Sequence, residues 1–290
     1  MEYNKLITLK QIMGYLLSKI ISLRVAYFYL IKIIGPNYED SVKILRSKKP
    51  FLITSTGRTG TTLLAKMLNA ISENYIVHEP VQEEQYYHAQ AIMNHIEALP
   101  YIENFRLSEM AYRINKTNCN RYGEVNSALR RHIVELKNRA PFFTIIHIIR
   151  DGRNVVTSML NRNSLTINDR VYNTMIPPKK DINPEEWSVM NRFQKICWMW
   201  AYENRYMREH CDYSVRFENL ISDYEYFRQN ILVPLNLNLS YEIWEQFIKN
   251  PVNTNDSVIK SNSYKEWTDE QKAYFWEICG PEMKQFGYFR

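Results

Sequence analysis

Short apolar runs alternate along the chain with longer segments in which apolar residues recur every three or four positions. The short runs are rich in β-branched and aromatic residues, and they predict strands at residues 51–54, 74–78, 142–149 and 213–217. The helical periodicity predicts helices at residues 63–71, 83–99, 124–139, 154–160, 183–210, 220–232, 240–249 and 268–279. Strands that alternate with helices favour an α/β fold with a central parallel sheet flanked by helices.

The run at 142–149 is the strongest predicted strand. It is apolar almost throughout, as expected for a central parallel strand that is covered on both faces. By contrast, the sequence between the predicted helices at 83–99 and 124–139 is polar and has no regular period, so irregular structure is expected there. A second polar stretch, at about 163–183, predicts a long loop.

The first predicted strand runs into a glycine-containing turn that opens a helix, in the manner of a P-loop-type domain. The turn reads Ser55-Thr56-Gly57-Arg58-Thr59-Gly60-Thr61-Thr62. Successive backbone N–H groups in such a turn point into one concavity, and the positive end of the helix dipole adds to their attraction for an anion. Hydroxyl groups and a guanidinium also suit phosphate or sulfate oxygens. The turn therefore predicts an anion site, with these binding residues: Ser55, Gly57, Arg58, Thr59, Gly60, Thr61 and Thr62.

This turn is not a Walker A loop. That motif requires a Gly-Lys pair before its Ser or Thr, and no Gly-Lys pair occurs in the chain. A nucleotide kinase or ATPase is therefore the less favoured enzyme class, and no metal ion is expected. A non-catalytic, membrane-associated nucleotide-binding protein is a further alternative.

A second candidate motif follows the strongest strand. Arg150 lies at the carboxyl end of that strand, where α/β sheets bind ligands, and Ser158 lies two helical turns further on. Together they could hold a second phosphate group. The alternative is that Arg150 pairs with a carboxylate and Ser158 lies on a helix surface.

The two motifs together resemble those of sulfotransferases that use 3′-phosphoadenosine-5′-phosphosulfate (PAPS). Residues 55–64 resemble the 5′-phosphosulfate loop of that family, and residues 150–158 resemble its 3′-phosphate motif. Further similarity lies in Tyr213–Leu220 and in the C-terminal segments Tyr264–Trp267 and Phe286–Tyr288. The resemblance covers about residues 50–290. Many members of the family have lysine at the position of Arg58, and in having arginine there this sequence resembles the bacterial and carbohydrate-modifying branches.

The resemblance implies a role for each motif. The loop from Arg58 to Thr62 would hold the 5′-phosphosulfate, while Arg150 and Ser158 would hold the 3′-phosphate. The segment 260–264, which ends at Tyr264, would close over the nucleotide. The implied reaction is the transfer of a sulfuryl group from PAPS, as co-substrate, to an acceptor hydroxyl of a glycan, a lipid or a small molecule. The stretches 81–125 and 163–183 would shape the acceptor site.

Such a transfer needs a base that takes the acceptor proton. Glu79 is the first candidate, because it follows the second strand and should lie on the same rim of the sheet as Arg58. His78 is the second candidate. Arg58 would stabilise the charge that develops on the leaving phosphate oxygen. Pro80 is expected to bias Glu79 toward an extended backbone, and the alternative for Glu79 is an ion pair.

The amino-acid composition of the N-terminal segment differs from that of the rest of the chain. Residues 1–50 carry nine basic and three acidic side chains, which accounts for the whole net charge of +6. Because the remainder is neutral, nucleic-acid binding by the main body is not indicated. The four cysteines have no paired spacing, so neither a disulfide framework nor a zinc site is expected, and a reducing, cytoplasmic location is favoured.

The basic N-terminus divides the chain into a predicted helical segment at 1–49 and a sulfotransferase domain at 50–290. Residues 12–34 are long and apolar enough to suggest a membrane span, but Lys19, Arg24 and Lys32 interrupt them. Three interpretations stay open: a helix that packs on the domain, a helix in peripheral contact with a membrane, and a true span.

Overall fold

Five parallel strands form one sheet in the part of the chain that the computed structural model describes, namely residues 27, 29–71, 73–81, 84–93, 100–250 and 263–290. The strands are β1 (Phe51–Ser55), β2 (Asn74–His78), β3 (Arg121–Val125), β4 (Thr144–Ile149) and β5 (Tyr213–Arg216). Their order across the sheet is β2-β3-β1-β4-β5, and every neighbouring pair is parallel. The P-loop-type α/β fold is therefore confirmed.

The α-helices lie between and after the strands. Up to β4 they are α1 (Tyr38–Ser47), α2 (Thr61–Asn69), α3 (Glu84–Met93), α4 (Leu107–Asn115) and α5 (Ile133–Arg139). After β4 they are α6 (Gly152–Leu160), α7 (Pro184–Val189), α8 (Arg192–His210), α9 (Phe217–Ser222), α10 (Tyr224–Phe227), α11 (Tyr241–Lys249), α12 (Asp269–Ile278) and α13 (Gly280–Gln285). Short π-helical turns occupy Ile102–Arg106 and Arg228–Leu232, and 3₁₀ turns occupy Ala128–His132 and Tyr264–Glu266.

Both faces of the sheet are buried, which explains the continuous apolar runs of β1 and β4. Phe51 and Ile53 face a core that α2 and α11 cover, whereas Leu52 faces a second core beneath α1, α4 and α5. This alternation within a strand that is apolar throughout is the expected pattern for a parallel sheet between two helical layers.

The third strand is the main element that the sequence pattern missed. Residues 121–123 lay in the stretch expected to be irregular. The helix predicted at 124–139 is wrong only at its start, because β3 extends to Val125, whereas residues 128–139 are helical. Glu124 is fully buried and accepts hydrogen bonds from Arg106 at 2.7 and 2.5 Å. At Gly123 a Cβ atom would lie only 2.1 Å from the ring of Phe51. Polar and glycine residues here serve buried contacts, so apolar periodicity could not reveal the strand.

Other element boundaries differ from the predictions for local reasons. The helix α4 also lies in the stretch expected to be irregular, and α13 was not predicted. The single helix expected at 183–210 is two helices, because Asn191 caps α8 in a capping box with Gln194. The helix predicted at 220–232 is divided among α9, α10 and a π-helical turn. Of the helix predicted at 83–99, residues 84–93 are helical and residues 94–99 lie outside the described residues.

The described part of the N-terminal segment shares a core with the rest of the chain. Residues 29–34 are helical, Ile31 is fully buried, and the Tyr27 hydroxyl donates to Glu109 at 3.1 Å. For these residues the packed-helix interpretation holds, while residues 12–26 and 28 lie outside the described residues. No helix in the described part of the chain meets the length and apolarity needed to cross a membrane. The boundary at residue 49 stays a prediction.

A buried charge network supports the strand end that borders the site. Arg106 bonds to three carboxylates, those of Glu84, Glu109 and Glu124, and Asn126 donates to both Glu84 and Glu124. Burial, partly offset by Arg106, raises the pKa of Glu84 to about 7. Three carboxylates surround the fully buried guanidinium of Arg106, and Arg113 also pairs with Glu109. Asn126 thus connects this network to the carboxyl end of β3.

Candidate active site

The carboxyl ends of the strands bring the candidate residues to one edge of the sheet. The anion loop follows β1, Glu79 follows β2, Ser127 lies two residues after β3, and Arg150 follows β4. Because all the strands are parallel, these ends open into the same crevice, which is where open α/β sheets bind ligands.

The anion loop has an unusual backbone. Gly57, Arg58 and Gly60 have φ angles of 82°, 59° and 71°, all in the left-handed region. At Gly60 a Cβ atom would also lie 2.3 Å from the ring of Phe217, so both space and φ favour glycine there. Gly60 is the N-cap of α2 and provides no side-chain hydrogen bond to its first turn. Such a turn, opening on a nine-residue helix, leaves backbone N–H groups for an anionic ligand.

Two predicted binding residues lie inside the loop and do not face the crevice. The hydroxyl of Thr59 donates to Ser55 Oγ at 2.7 Å, and the N–H of Gly57 donates to the same oxygen at 3.0 Å. Ser55 is fully buried and Thr59 is 1% exposed. Their hydroxyl groups therefore hold the shape of the loop. Gly57, Arg58, Thr61 and Thr62 do line the neighbouring cleft.

The two predicted motifs are in direct contact although 100 residues separate them. Arg58 Nε donates to Ser158 Oγ at 2.8 Å, and Arg150 Nη1 donates to the carbonyl oxygen of Arg58 at 2.8 Å. The Arg150 guanidinium also lies 5.1 Å from the ring centroid of Phe217. Among the described residues no carboxylate forms an ion pair with Arg58 or Arg150. The ion-pair alternative for Arg150 therefore has no support in this part of the chain.

The electrostatics of this cluster favour an anionic ligand. Burial lowers the pKa of Arg58, and the nearby positive charges of Arg162 and Arg150 lower it further. Positively charged guanidinium groups that lie close together repel one another. An anion bound between them would remove this repulsion and accept charged hydrogen bonds from them.

The two candidate bases lie beside the loop. His78 and Glu79 line a cleft of 330 Å³, and His78 Nε2 is 3.1 Å from Thr61 Oγ1. The φ angle of Glu79 is 41°, so the extended backbone expected from Pro80 is wrong. The N–H of Glu79 donates to the Val125 carbonyl at 3.3 Å, and Arg113 donates to the Pro80 carbonyl at 3.2 Å. These contacts hold a non-glycine residue in a sparsely populated conformation, as often occurs at functional sites.

Several cleft residues were missed by the sequence analysis. One side of α8 forms a wall through Ile196, Met199, Trp200 and Glu203, at the helical spacing of three, four and seven. The buried Glu203 accepts from Arg130 and Arg131, both at 3.0 Å. The spacing along α8 was the available signal, but it equally fits ordinary core packing.

The loop expected at 163–183 covers the cleft. It contributes Ser164, Leu165, Asp169 and Tyr172 to the lining. The Asp169 carboxylate accepts backbone N–H bonds from Leu165 at 2.7 Å and from Val171 and Tyr172 at 3.0 Å. The Tyr172 hydroxyl is 2.9 Å from His88 Nδ1, and burial and the nearby Arg130 lower the pKa of His88 to about 4, although Glu203 opposes them. The loop is thereby anchored against α3.

Tyr264 packs beside α6, which carries Ser158. Its hydroxyl accepts from Trp276 Nε1 at 2.8 Å, and the guanidinium of Arg153 lies 5.4 Å from its ring centroid. Of the other residues of the segment expected to close over the nucleotide, 260–262 lie outside the described residues, and Ser263 forms a capping box with Glu266.

A P-loop-type α/β domain with an arginine-rich anion site beside a cleft defines the class of protein. A family model described as the sulfotransferase family matches residues 50–241. That match spans about two thirds of the chain, so the chain belongs to the sulfotransferase family and is an enzyme of sulfuryl transfer. The sequence-based assignment to this family is confirmed.

Solved sulfotransferases show a distant likeness. Sulfotransferase STF9 from Mycobacterium avium aligns with a TM-score of 0.49 at 10% identity, over 84% of this chain and 78% of that one. Mouse sulfotransferase SULT7A1, complexed with PAP, aligns with a TM-score of 0.49 at 13% identity, over 85% of this chain and 89% of that one. The sulfotransferase from Alicyclobacillus acidocaldarius aligns with a TM-score of 0.46 at 14% identity, over 81% of this chain and 93% of that one. A search of curated protein sequences finds no match. The assignment rests on the family model, because these scores are too low to carry an argument.

Proposed function

We propose that this sulfotransferase uses PAPS as donor and transfers the sulfuryl group to a hydroxyl of a small molecule or carbohydrate. The observation that carries the proposal is the contact of Arg58 with both Ser158 and Arg150. It places two candidate anion-binding groups side by side, as a nucleotide with a 5′-phosphosulfate and a 3′-phosphate requires. The residues fit such a donor, since the guanidinium groups have no carboxylate partner among the described residues. A Cβ at Gly57 would also meet open space.

The roles of the residues follow from their places. Arg58 and the N–H groups at the start of α2 bind the charge that develops on the leaving phosphate oxygen. Glu79 accepts the proton of the acceptor hydroxyl while the new S–O bond forms and the bond from sulfur to the phosphate oxygen breaks. Arg150 and Ser158 hold the 3′-phosphate and so fix the register of the donor. PAPS supplies the activated sulfuryl group, and the nucleotide that remains after the transfer, 3′-phosphoadenosine-5′-phosphate (PAP), is the product that leaves.

The volume and the lining of the cleft limit the size and the chemical character of the acceptor. Its volume of 330 Å³ lies at the lower end of the range for small-molecule sites, roughly 300–1,000 Å³. Met159, Leu165 and Trp200 provide apolar surface, while Gln85 and Arg130 provide polar groups. An acceptor with one sugar ring or one aromatic ring, an apolar face and several polar substituents fits this lining. A nucleic-acid acceptor does not fit it.

A transfer assay tests the proposal. Purified protein should move labelled sulfate from PAPS to hydroxyl acceptors, and chelation of divalent metal should leave the rate unchanged because a sulfuryl group carries less charge than a phosphoryl group. Activity that a chelator abolishes and Mg²⁺ restores, with ATP as donor, contradicts the proposal in favour of a kinase. Tight PAP binding without transfer to any member of a broad panel of sugars, phenols and alcohols favours a non-catalytic binding protein.

We further propose peripheral membrane contact through residues 12–34, within an enzyme that is otherwise cytoplasmic. In the described part of this segment, Leu30, Ile33 and Ile34 are 44%, 79% and 48% exposed, and they belong to the basic N-terminal fifty residues.

Ile33→Asp is expected to reduce co-sedimentation with anionic lipid vesicles, because it removes apolar surface and adds a negative charge that the vesicle surface repels. Val189→Asp, at a position 82% exposed on α7, is the matched control. Equal vesicle binding by wild type and both variants contradicts membrane contact.

A further inference from the structure

Leu165 lines the cleft with a backbone conformation that is unusual for a leucine. Its φ angle is 58°, in the left-handed region, which is costly for a residue with a branched side chain. The side chain lines the 330 Å³ cleft and also packs against the core that contains Ile196 and Trp200. Residues in sparsely populated conformations persist only where neighbouring contacts hold them, and they cluster at binding sites. The contacts that hold Leu165 therefore bear on the function of the cleft.

The peptide group that joins Ser164 to Leu165 is held at both ends by charged side chains. Arg192 Nε donates to the carbonyl oxygen of Ser164 at 2.8 Å, and the N–H of Leu165 donates to Asp169 Oδ2 at 2.7 Å. The two bonded atoms belong to one planar unit, so the two hydrogen bonds fix the orientation of that plane. Because this orientation sets the φ angle of Leu165, Arg192 and Asp169 together hold the left-handed conformation. Neither hydrogen bond uses the side chain of Leu165, which stays available to a ligand.

Arg192 also connects the covering loop to the wall of the cleft. It is the first residue of α8 and lies one helical turn before Ile196, which lines the cleft. Its guanidinium donates to the last carbonyls of α6, those of Met159 at 3.0 Å and Leu160 at 3.1 Å, and to the carbonyl of Arg162. Among the described residues no carboxylate forms an ion pair with Arg192, so these carbonyls are its partners. One side chain thus sets the spacing between the loop, the wall and the end of α6.

We infer that Leu165 determines acceptor specificity by contacting an apolar ring face of the acceptor, and that Arg192 and Asp169 are positioning residues that hold it there. This inference rests on the proposed function. Four other apolar side chains line the same cleft: Met159, Ile196, Met199 and Trp200. An acceptor with a ring face gains contact with this surface, whereas a small polyol without a ring does not. Because Leu165 is held before the acceptor binds, little entropy is lost when the contact forms.

Leu165→Ala tests the specificity role, with Ile167→Ala as the matched control. Ile167 is an apolar residue of the same loop, but it is 88% exposed and is not part of the cleft lining. Alanine keeps the Cβ atom, so the backbone requirement at position 165 does not change. With phenol and methyl glucoside as ring acceptors, kcat/KM should fall about 10- to 100-fold in Leu165→Ala. With glycerol it should change little, and PAP affinity and the Ile167→Ala enzyme should match wild type.

Arg192→Met tests the positioning role, with Asn191→Ala as its control. Asn191 caps the same helix by accepting from the Gln194 N–H at 3.0 Å, so its loss weakens that helix end and leaves the Arg192 contacts with the loop in place. Arg192→Met should lower kcat/KM for the ring acceptors, as should Asp169→Ala, while PAP affinity stays near wild type. In the double variant with Leu165→Ala the two losses should not add, because Arg192 acts through Leu165.

Several outcomes overturn the inference. Wild-type kcat/KM for the ring acceptors in Leu165→Ala excludes the specificity role, and this variant settles that role even if Arg192→Met does not fold. Additive losses in the double variant exclude positioning through Leu165. An equal loss in Asn191→Ala assigns the effect of Arg192 to helix stability. All three results leave the proposed function standing, whereas wild-type protein that transfers sulfate to none of the sugars, phenols and alcohols overturns that function and the inference with it.

Discussion

Replacement of Glu79 by glutamine is expected to lower kcat by about 10²–10⁴-fold, the usual effect of removing a general base. The expectation comes from the place of Glu79, which lines the cleft beside Thr61 and Thr62 of the anion loop. Glutamine keeps the size of the side chain and loses the carboxylate that accepts the proton. PAP affinity should stay near the wild-type value, because Glu79 lies outside the arginine cluster. Steady-state kinetics at saturating PAPS and acceptor measure the effect.

Glu73→Gln provides the matched control for this prediction. Glu73 immediately precedes β2 and Glu79 immediately follows it, so the same change at Glu73 lies at the opposite edge of the sheet. Like Glu79, Glu73 has a positive φ angle, 67°, so both variants face the same backbone requirement. The control should turn over normally. Near-normal kcat in Glu79→Gln together with a large loss in His78→Asn would transfer the role of base to His78.

Arg150→Ala is expected to weaken the binding of 3′-phosphorylated nucleotide by about 10- to 100-fold, while binding of adenosine 5′-phosphate changes little. Arg150 lies at the carboxyl end of β4 without a carboxylate partner in the described part of the chain, and it contacts the loop through the Arg58 carbonyl at 2.8 Å. Removing it takes away a charged donor to the 3′-phosphate. Calorimetry with PAP and with adenosine 5′-phosphate measures the selectivity.

The structure also defines what would contradict this assignment. Because Arg150 supports the loop through a carbonyl, its loss could disturb the 5′ site too, and both nucleotides would then lose affinity equally. Such an equal loss would make Arg150 a loop support, with no specific contact to the 3′-phosphate. Ser158→Ala leaves the contact of Arg150 with the loop in place and removes a hydroxyl from the 3′ site, together with the hydrogen bond that this hydroxyl accepts from Arg58. It should also lower PAP affinity selectively.

Features that depend on neighbouring residues could be predicted from the sequence. The β1 strand, the glycine turn and α2 form one continuous segment whose propensities agree, so the strand, loop and helix are found where expected. The same holds for β4, Arg150 and α6, which are also contiguous. Apolar runs reported the buried strands because the sheet is covered on both faces.

Features that depend on distant partners could not be predicted in this way. The strand β3 contains Arg121, Gly123 and Glu124, which read as loop residues until Arg106 and Phe51 are placed against them. The φ angle of Glu79 departs from the expectation of a pre-proline residue because contacts to β3 and Arg113 hold it. The α8 wall of the cleft has the same helical spacing as any core-facing helix.

The sequence by itself determined the family of this protein, its sheet-and-helix class and the two motifs of its anion site. These are properties of short contiguous segments, in which backbone preference and side-chain chemistry act locally. Only the tertiary structure decided that Arg58 meets Ser158 and that Ser55 and Thr59 turn inward. The physical reason is the strand order, in which β1 lies beside β4. That pairing brings together two loops that the chain separates by nearly a hundred residues.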